Sequence, residues 1–171
     1  MNDFPPQICG TWIALDAVGR KAWLLQARDY HFAHGFTAAQ ARTAHRPITL
    51  DVAPIDDLTS FFCALGEAVN GPGGYFGLTL RALEDCLIGG FGAEAPWTLH
   101  VTDEGRLRRV LGSAELAAWA QQRSSSSDYL DDEGRIWLDE AVRRAAGGET
   151  LWADVRHLFE HCRVKVVDDA T

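Results

Sequence analysis

Two histidines, His157 and His161, lie four residues apart, a spacing that puts both side chains on one face of a helix. Imidazoles so placed are a common start of a zinc site. In the His-Glu-x-x-His form, the glutamate between them serves as general base. Here Leu158 occupies that position and no third ligand is evident. Cys162 is adjacent but continues the apolar stripe Leu151, Trp152, Val155, Leu158, Phe159. The pair therefore reads as a polar helix face, and no metal or other cofactor is expected.

Other chemistry-bearing residues lead to the same place. Gly71, Gly73, Gly74 and Gly77 precede a helical pattern, where backbone N–H groups could hold an anion. No lysine accompanies them as it would in a phosphate-binding GxxxxGK[ST] loop, so they read as a turn. Asp131, Asp132 and Glu133 follow four serines, and consecutive acids in such a stretch face water. Neither GxSxG nor GxGxxG occurs. Cys9, Cys63, Cys86 and Cys162 are far apart, with no CxxC pair. Three of them fall on apolar helix faces, where a thiol packs as a small hydrophobe. Catalysis is not expected of this chain.

Charge is unevenly spread over the 171 residues, whose net is −8. Residues 1–47 hold five bases against three acids, hence +2, and the remainder holds 11 bases against 21 acids, hence −10. Such a surface repels phosphate backbones, which argues against direct nucleic-acid binding. It would draw in a basic partner and speed the encounter. No apolar run approaches the roughly 20 residues of a membrane span. The first residues show no basic-then-apolar signal pattern, so a cytoplasmic location with reduced thiols is expected.

Two parts are expected. Residues 1–46 read as an N-terminal β-hairpin extension and linker. Strands at Thr11–Leu15 and Ala22–Ala27 flank a turn at Val18–Lys21, and Thr37–Thr43 has helical character. Residues 47–171 read as an α/β domain. Strands are expected at 47–52, 97–101 and 163–167, and helices after Asp56 (as N-cap), from Thr79 to Gly89, and over 106–122, 135–146 and 150–162. An exposed acidic loop spans 124–134. Strands alternating with helices imply a small, mostly parallel three-stranded sheet flanked by helices.

The stretch from Pro72 to Leu87, PGGYFGLTLRALEDCL, resembles the barstar signature. That signature is a turn, an aromatic pair with glycine, then a short helix patterned L-x-A-L-x-D-C-L. Tyr75, Phe76, Gly77, Leu80, Ala82, Leu83, Asp85, Cys86 and Leu87 carry the likeness, which extends over about 47–102 and 149–167 and leaves a helical insertion at about 103–148. The resemblance implies an immunity protein that binds a cognate protein toxin of ribonuclease type and occludes its active site. It implies that Tyr75 and Gly77 form a contact loop, and that Thr79, Arg81, Glu84, Asp85, Ile88 and Gly89 line the contact face. Arg81 stands where the family has an acid and Glu84 where it has a tryptophan, so the partner's site is expected to differ. Two other readings stand beside this one: a regulatory protein-binding module on the same fold, and a metal-dependent hydrolase using His157 and His161.

Overall fold

Strands at Ile48–Leu50 (β1), Trp97–Val101 (β2) and Val164–Asp168 (β3) form one parallel sheet in the order β1-β2-β3. The computed structural model describes residues 4–35, 47–126 and 132–169. Among them are seven helices: α1 (Ala17–His34), α2 (Leu58–Asn70), α3 (Leu80–Ile88), α4 (Glu104–Val110), α5 (Ser113–Ser126), α6 (Asp132–Ala146) and α7 (Leu151–His161). The sheet register pairs Leu50 with Val101 and Leu99 with Val166. Ile48, Leu50, Trp97, Leu99, Val101, Val164 and Val166 are buried, whereas Thr49 and Lys165 between them are exposed. This period of two commits one face of the sheet to the core.

The helices cover that face with long side chains. Phe61, Phe62 and Leu65 of α2, Leu83 and Leu87 of α3, and Trp152 and Phe159 of α7 are all essentially inaccessible. Each such burial contributes about 1.5–3 kcal/mol. Their rings meet edge to face, Phe61 on Trp152 at 6.3 Å and Trp97 on Phe159 at 6.2 Å between centroids, the arrangement aromatic quadrupoles favour. Glu104, at the start of α4, accepts from Trp152 Nε1 at 2.9 Å and from Arg156 at 2.6 Å, which ties α4 to α7.

The expected α/β architecture with three parallel strands is the one observed, but four local expectations are corrected. The N-terminal segment is not a β-hairpin. Thr11–Leu15 lies in turns and α1 follows, because Asp16 caps it by accepting from Gly19 N at 2.8 Å. Arg20, Trp23, Leu24, Ala27 and His31 then fall on one buried stripe. A short apolar run such as Ala22–Ala27 fits strand and helix alike, and here the helical period decides. Asp57, not Asp56, caps α2, accepting from Ser60 N at 2.6 Å while Ser60 Oγ accepts from Asp57 N at 2.9 Å. Asp56 is instead the partner of Arg20, which donates to it at 3.0 Å. The helix expected over 106–122 is two helices, broken at Leu111–Gly112. Of the acidic loop expected at 124–134, the first three residues end α5 and the last three begin α6, while 127–131 lie outside the described residues. The expected helical stretch at 37–43 lies outside the described residues.

The N-terminal segment packs on the domain through a buried carboxylate. Glu67 of α2 is 8% exposed and accepts from Gly10 N at 2.7 Å, Trp12 Nε1 at 2.9 Å and Gly73 N at 3.2 Å. It therefore joins α2, the segment before α1 and the glycine turn. Asn70, one turn on, donates to the Tyr75 and Phe91 carbonyls at 2.7 and 2.9 Å. His31 of α1 is buried and hydrogen-bonds the Gly73 backbone.

Two predictions follow from this packing. Glu67→Ala strands three donors and should lower the unfolding free energy by about 3 kcal/mol or more, since each unsatisfied buried group costs about 1–3 kcal/mol. Glu67→Gln keeps an acceptor oxygen and should cost less. Urea denaturation measures both, and equal losses would contradict the hub. Burial holds the His31 imidazole below its ordinary value of 6.5, against the opposing Gly73 hydrogen bond. A histidine kept neutral by folding contributes fully above that value and loses its contribution as pH falls through it. The parent should therefore lose more stability than His31→Gln between about pH 7 and 5. Parallel pH profiles of the two urea midpoints would refute it.

Candidate functional site

Helix α3 is short and is fixed at both ends. Thr79 caps it, its side-chain oxygen accepting from Ala82 N at 3.1 Å, and Gly89 ends it at φ 128°. Leu83, Cys86 and Leu87 face the core. Burial drives the Cys86 thiol up to about 12, with the neighbouring Asp85 charge adding to the effect. Cys63 of α2 is likewise buried and its thiol is raised further. Both are poor nucleophiles, because the thiolate is the reactive form. All four cysteines are unpaired.

The opposite face of α3 holds Arg81, Glu84, Asp85 and Ile88, all exposed. Among the described residues, no side-chain hydrogen bond or ion pair engages Arg81, Glu84 or Asp85. Arg81 and Asp85 stand one helical turn apart, close enough to pair, yet they do not. Ile88 is 77% exposed, a large apolar side chain at the end of a charged stripe.

This face is one wall of a cleft of about 800 Å³. The facing wall is the α5–α6 pair, with Trp119, Arg123, Trp137 and Arg144; the floor is α7, with Asp154, His157, Leu158 and His161. Trp119 and Trp137 meet edge to face at 5.1 Å, with Trp119 buried beneath and Trp137 half open to the cleft. Arg144 is engaged by Asp154 and by Glu149, the latter at 2.7 Å. A smaller recess of about 570 Å³ lies beyond the other flank of α3, lined in part by Gly89, Glu94 and His161. Glu84 and Ile88 border both, so they stand on a ridge between two hollows.

The eight residues named from the sequence therefore divide. Arg81, Glu84, Asp85 and Ile88 are brought together on one exposed surface, while Thr79 is committed to its cap and Gly89 to the helix end. Tyr75 and Gly77 are a correction: neither forms an exposed contact loop. Tyr75 is 3% exposed, packed against Phe32 of α1 at 6.5 Å between ring centroids. Gly77 is buried at φ 94°, and a Cβ there would approach the Leu83 backbone to 3.0 Å. Phe32 of α1 lies over Tyr75, Leu83 of α3 closes off Gly77, and the N-terminal segment lies over Gly73. A Cβ on Gly73 would come within 2.7 Å of Pro6, 2.9 Å of Pro5 and 3.1 Å of Phe4.

Sequence reasoning missed the facing wall of the cleft. One signal was available: Ile136 and Trp137 are out of phase with the buried stripe Leu138, Ala141, Ala145 and are 63% and 50% exposed. The ring centroids of His157 and His161 are 6.4 Å apart. Among the described residues, no group of three or more His, Cys, Asp or Glu is placed to hold a metal. No described helix is long and apolar enough to cross a membrane. The arrangement offers paired carboxylates, guanidinium groups and exposed apolar surface.

Comparison with known proteins identifies the fold. The model of the family described as Barstar (barnase inhibitor) matches residues 45–153. The match runs from just before β1 through α6 and into α7, and it includes the segment about 103–148 that the signature alone left aside. No curated protein matches the chain, and neither does any solved structure. With more than half of its length matched and the three-stranded parallel sheet in place, the chain belongs to the barstar family.

Proposed function

We propose that this protein is a non-enzymatic inhibitor that binds a cognate protein toxin of ribonuclease type in the cytoplasm and blocks its active site through the exposed face of α3. The observation that carries the reading is the set Arg81, Glu84, Asp85 and Ile88. Their side chains are exposed, the three charged ones have no side-chain hydrogen bond or ion pair among the described residues, and they sit on the helix that bears the family signature. A carboxylate free in the unbound protein loses no internal bond when it meets a cation, so its attraction to the partner is retained in full. The −10 balance of residues 48–171 supports a fast, salt-sensitive encounter with a basic protein. A regulatory protein-binding module on the same fold is the second reading. It is favoured by one observation, the burial of Tyr75 and Gly77 in the loop the resemblance assigns to toxin contact.

The test combines inhibition with mutation. Ribonuclease activity is measured for barnase, and for any nuclease domain encoded beside this gene, with and without the purified protein. Stoichiometric inhibition of either is the expected result; inhibition of neither, with a non-nuclease partner found instead, would favour the regulatory module. Asp85→Ala should weaken the complex by about 2–5 kcal/mol, because it strands the partner's buried cation. Its own unfolding free energy should change by no more than about 0.5 kcal/mol, as at other surface sites. Arg81→Asp should also weaken the cognate complex. Leu83→Ala, on the buried face, should instead cost about 2–5 kcal/mol of stability. If Asp85→Ala and Arg81→Asp bind as the parent does, the α3 face is not the interface.

A further inference from the structure

We propose that the outer edge of β1 takes up an extended segment of a partner protein as a fourth strand. One aliphatic side chain of that segment enters the hollow beside the edge, and a basic residue next to it in sequence lies against Asp51. This surface is separate from the α3 face, for its lining shares no residue with either hollow that α3 borders.

Backbone direction carries the inference first. The Leu50 carbonyl accepts from Thr102 N at 3.2 Å, and Val52 N donates to Thr102 Oγ1 at 3.0 Å, so both residues turn their polar groups toward β2. Alternation along the strand turns those of Thr49 and Asp51 the other way, where the sheet order holds no further strand. Among the described residues, no backbone hydrogen bond outside the sheet ladder engages them. The far edge of the sheet differs. There Asp169 N donates to Val101 O, so the outward groups of β3 belong to Val164 and Val166, which are 1% and 8% exposed. Thr49 and Asp51 are exposed. Unpaired N–H and C=O groups on an open edge are a template for strand addition.

The side chains of the occupant follow from what borders the edge. A hollow of about 320 Å³ is lined by β1, α2 and the segment before α1, with Trp12, Ile13, Ala64 and Ala68 supplying its apolar surface. Ile13 is 47% exposed. A strand laid along Thr49 alternates its side chains between the two faces, so one enters the hollow and its neighbour lies beside Thr49 and Asp51. Both charged residues of the lining, Asp51 and Glu67, are acids. Glu67 is committed to its three donors, whereas Asp51 is exposed and holds one local bond, from Ala53 N at 3.0 Å. Arg106 is directed to the Val52, Ala53 and Ile55 carbonyls and does not line the hollow. A basic side chain opposite Asp51 is attracted and an acidic one repelled. A second copy does not fill the site. Pairing β1 with β1 would present Ile48 and Leu50, already 4% and 0% exposed in their own core, and leave the hollow empty.

The probe is a phage-displayed library of linear peptides, selected on the intact protein and synthesised for direct binding. Enriched peptides should place a Val, Ile or Leu beside a Lys or Arg. N-methylation moved one residue at a time along such a peptide should weaken binding at least about tenfold at alternate positions and spare those between, because every second amide faces β1. Thr49→Pro removes the outward N–H and should weaken binding by the same factor, while Thr49→Val keeps it and should not. Proline is tolerated on an edge strand. Should Thr49→Pro lose the parent's thermal melt, the N-methyl scan and Ala68→Leu, which fills the hollow, carry the comparison. Peptides without the alternation, or indifferent to a folded Thr49→Pro, overturn the proposal, as does the absence of any enrichment. So would a parent dimer converted to monomer by Thr49→Pro, since a second copy would then be the occupant. Peptides lost with Asp85→Ala but retained by Thr49→Pro bind at α3, which sinks the edge and leaves the inhibitor reading standing. Edge-dependent peptides support the proposal whether or not a nuclease is inhibited.

Discussion

A carboxylate buried in a protein must be surrounded by donors, and Glu67 meets that demand with three from two different segments. Two come from the chain before α1, at Gly10 and Trp12, and one from the glycine turn at Gly73. The requirement is strict, because an ionised group out of water costs several kcal/mol unless its oxygens are bonded. Satisfying it draws the N-terminal segment down onto the turn. Arg20, itself buried, then reaches Asp56 and Asp57 at the start of α2 and holds α1 in place. The burial of Tyr75, the closure of the turn and the limits of the accessible surface all descend from this one arrangement.

Closing the turn changes what α3 can be used for. In a minimal form of this fold, an aromatic–glycine turn and the adjoining helix could make one continuous contact surface. Here Phe32 and the Phe4–Pro6 stretch occupy the turn. The α5–α6 pair stands across from α3, with Trp137 in the position of a facing wall. The same helix, with the same core-facing Leu83 and Leu87, thus borders a hollow. Its charges also differ from a uniformly acidic stripe, because Arg81 shares the face with Glu84 and Asp85. The excess acid over residues 48–171 would act at longer range, on an encounter with a basic partner and not on the docked state.

The sequence by itself determined the elements whose reasons are local. Strand β2 alternates Trp97, Leu99 and Val101 with Thr98 and His100, which is enough to place a half-buried strand. Thr79 and the Leu83, Cys86, Leu87 spacing define α3 and assign its charged residues outward. The signature around them led to the family. These features depend on side-chain period and capping within a few residues of one another, so they are readable from the chain. The N-terminal segment was misread for the complementary reason. Ala22–Ala27 is apolar enough for either period, and only the docking of Trp23, Leu24 and Ala27 against α2 shows which applies.

Tertiary structure alone decided the rest. Nothing near Glu67 in sequence marks it as buried, since its donors at Gly10 and Trp12 lie more than fifty residues away. Nothing near Asp56 reveals that it leaves the cap to Asp57 and pairs with Arg20. Tyr75 carries the family's pattern, but its burial involves Phe32 of α1, which precedes the matched region. The cleft is assembled from α3, α5, α6 and α7, and no window of sequence contains two of its walls. Period and capping are properties of adjacent residues, whereas accessibility and partnership are properties of whatever the fold brings near. The helix that carries the signature was therefore legible in the chain, and the surface around it was not.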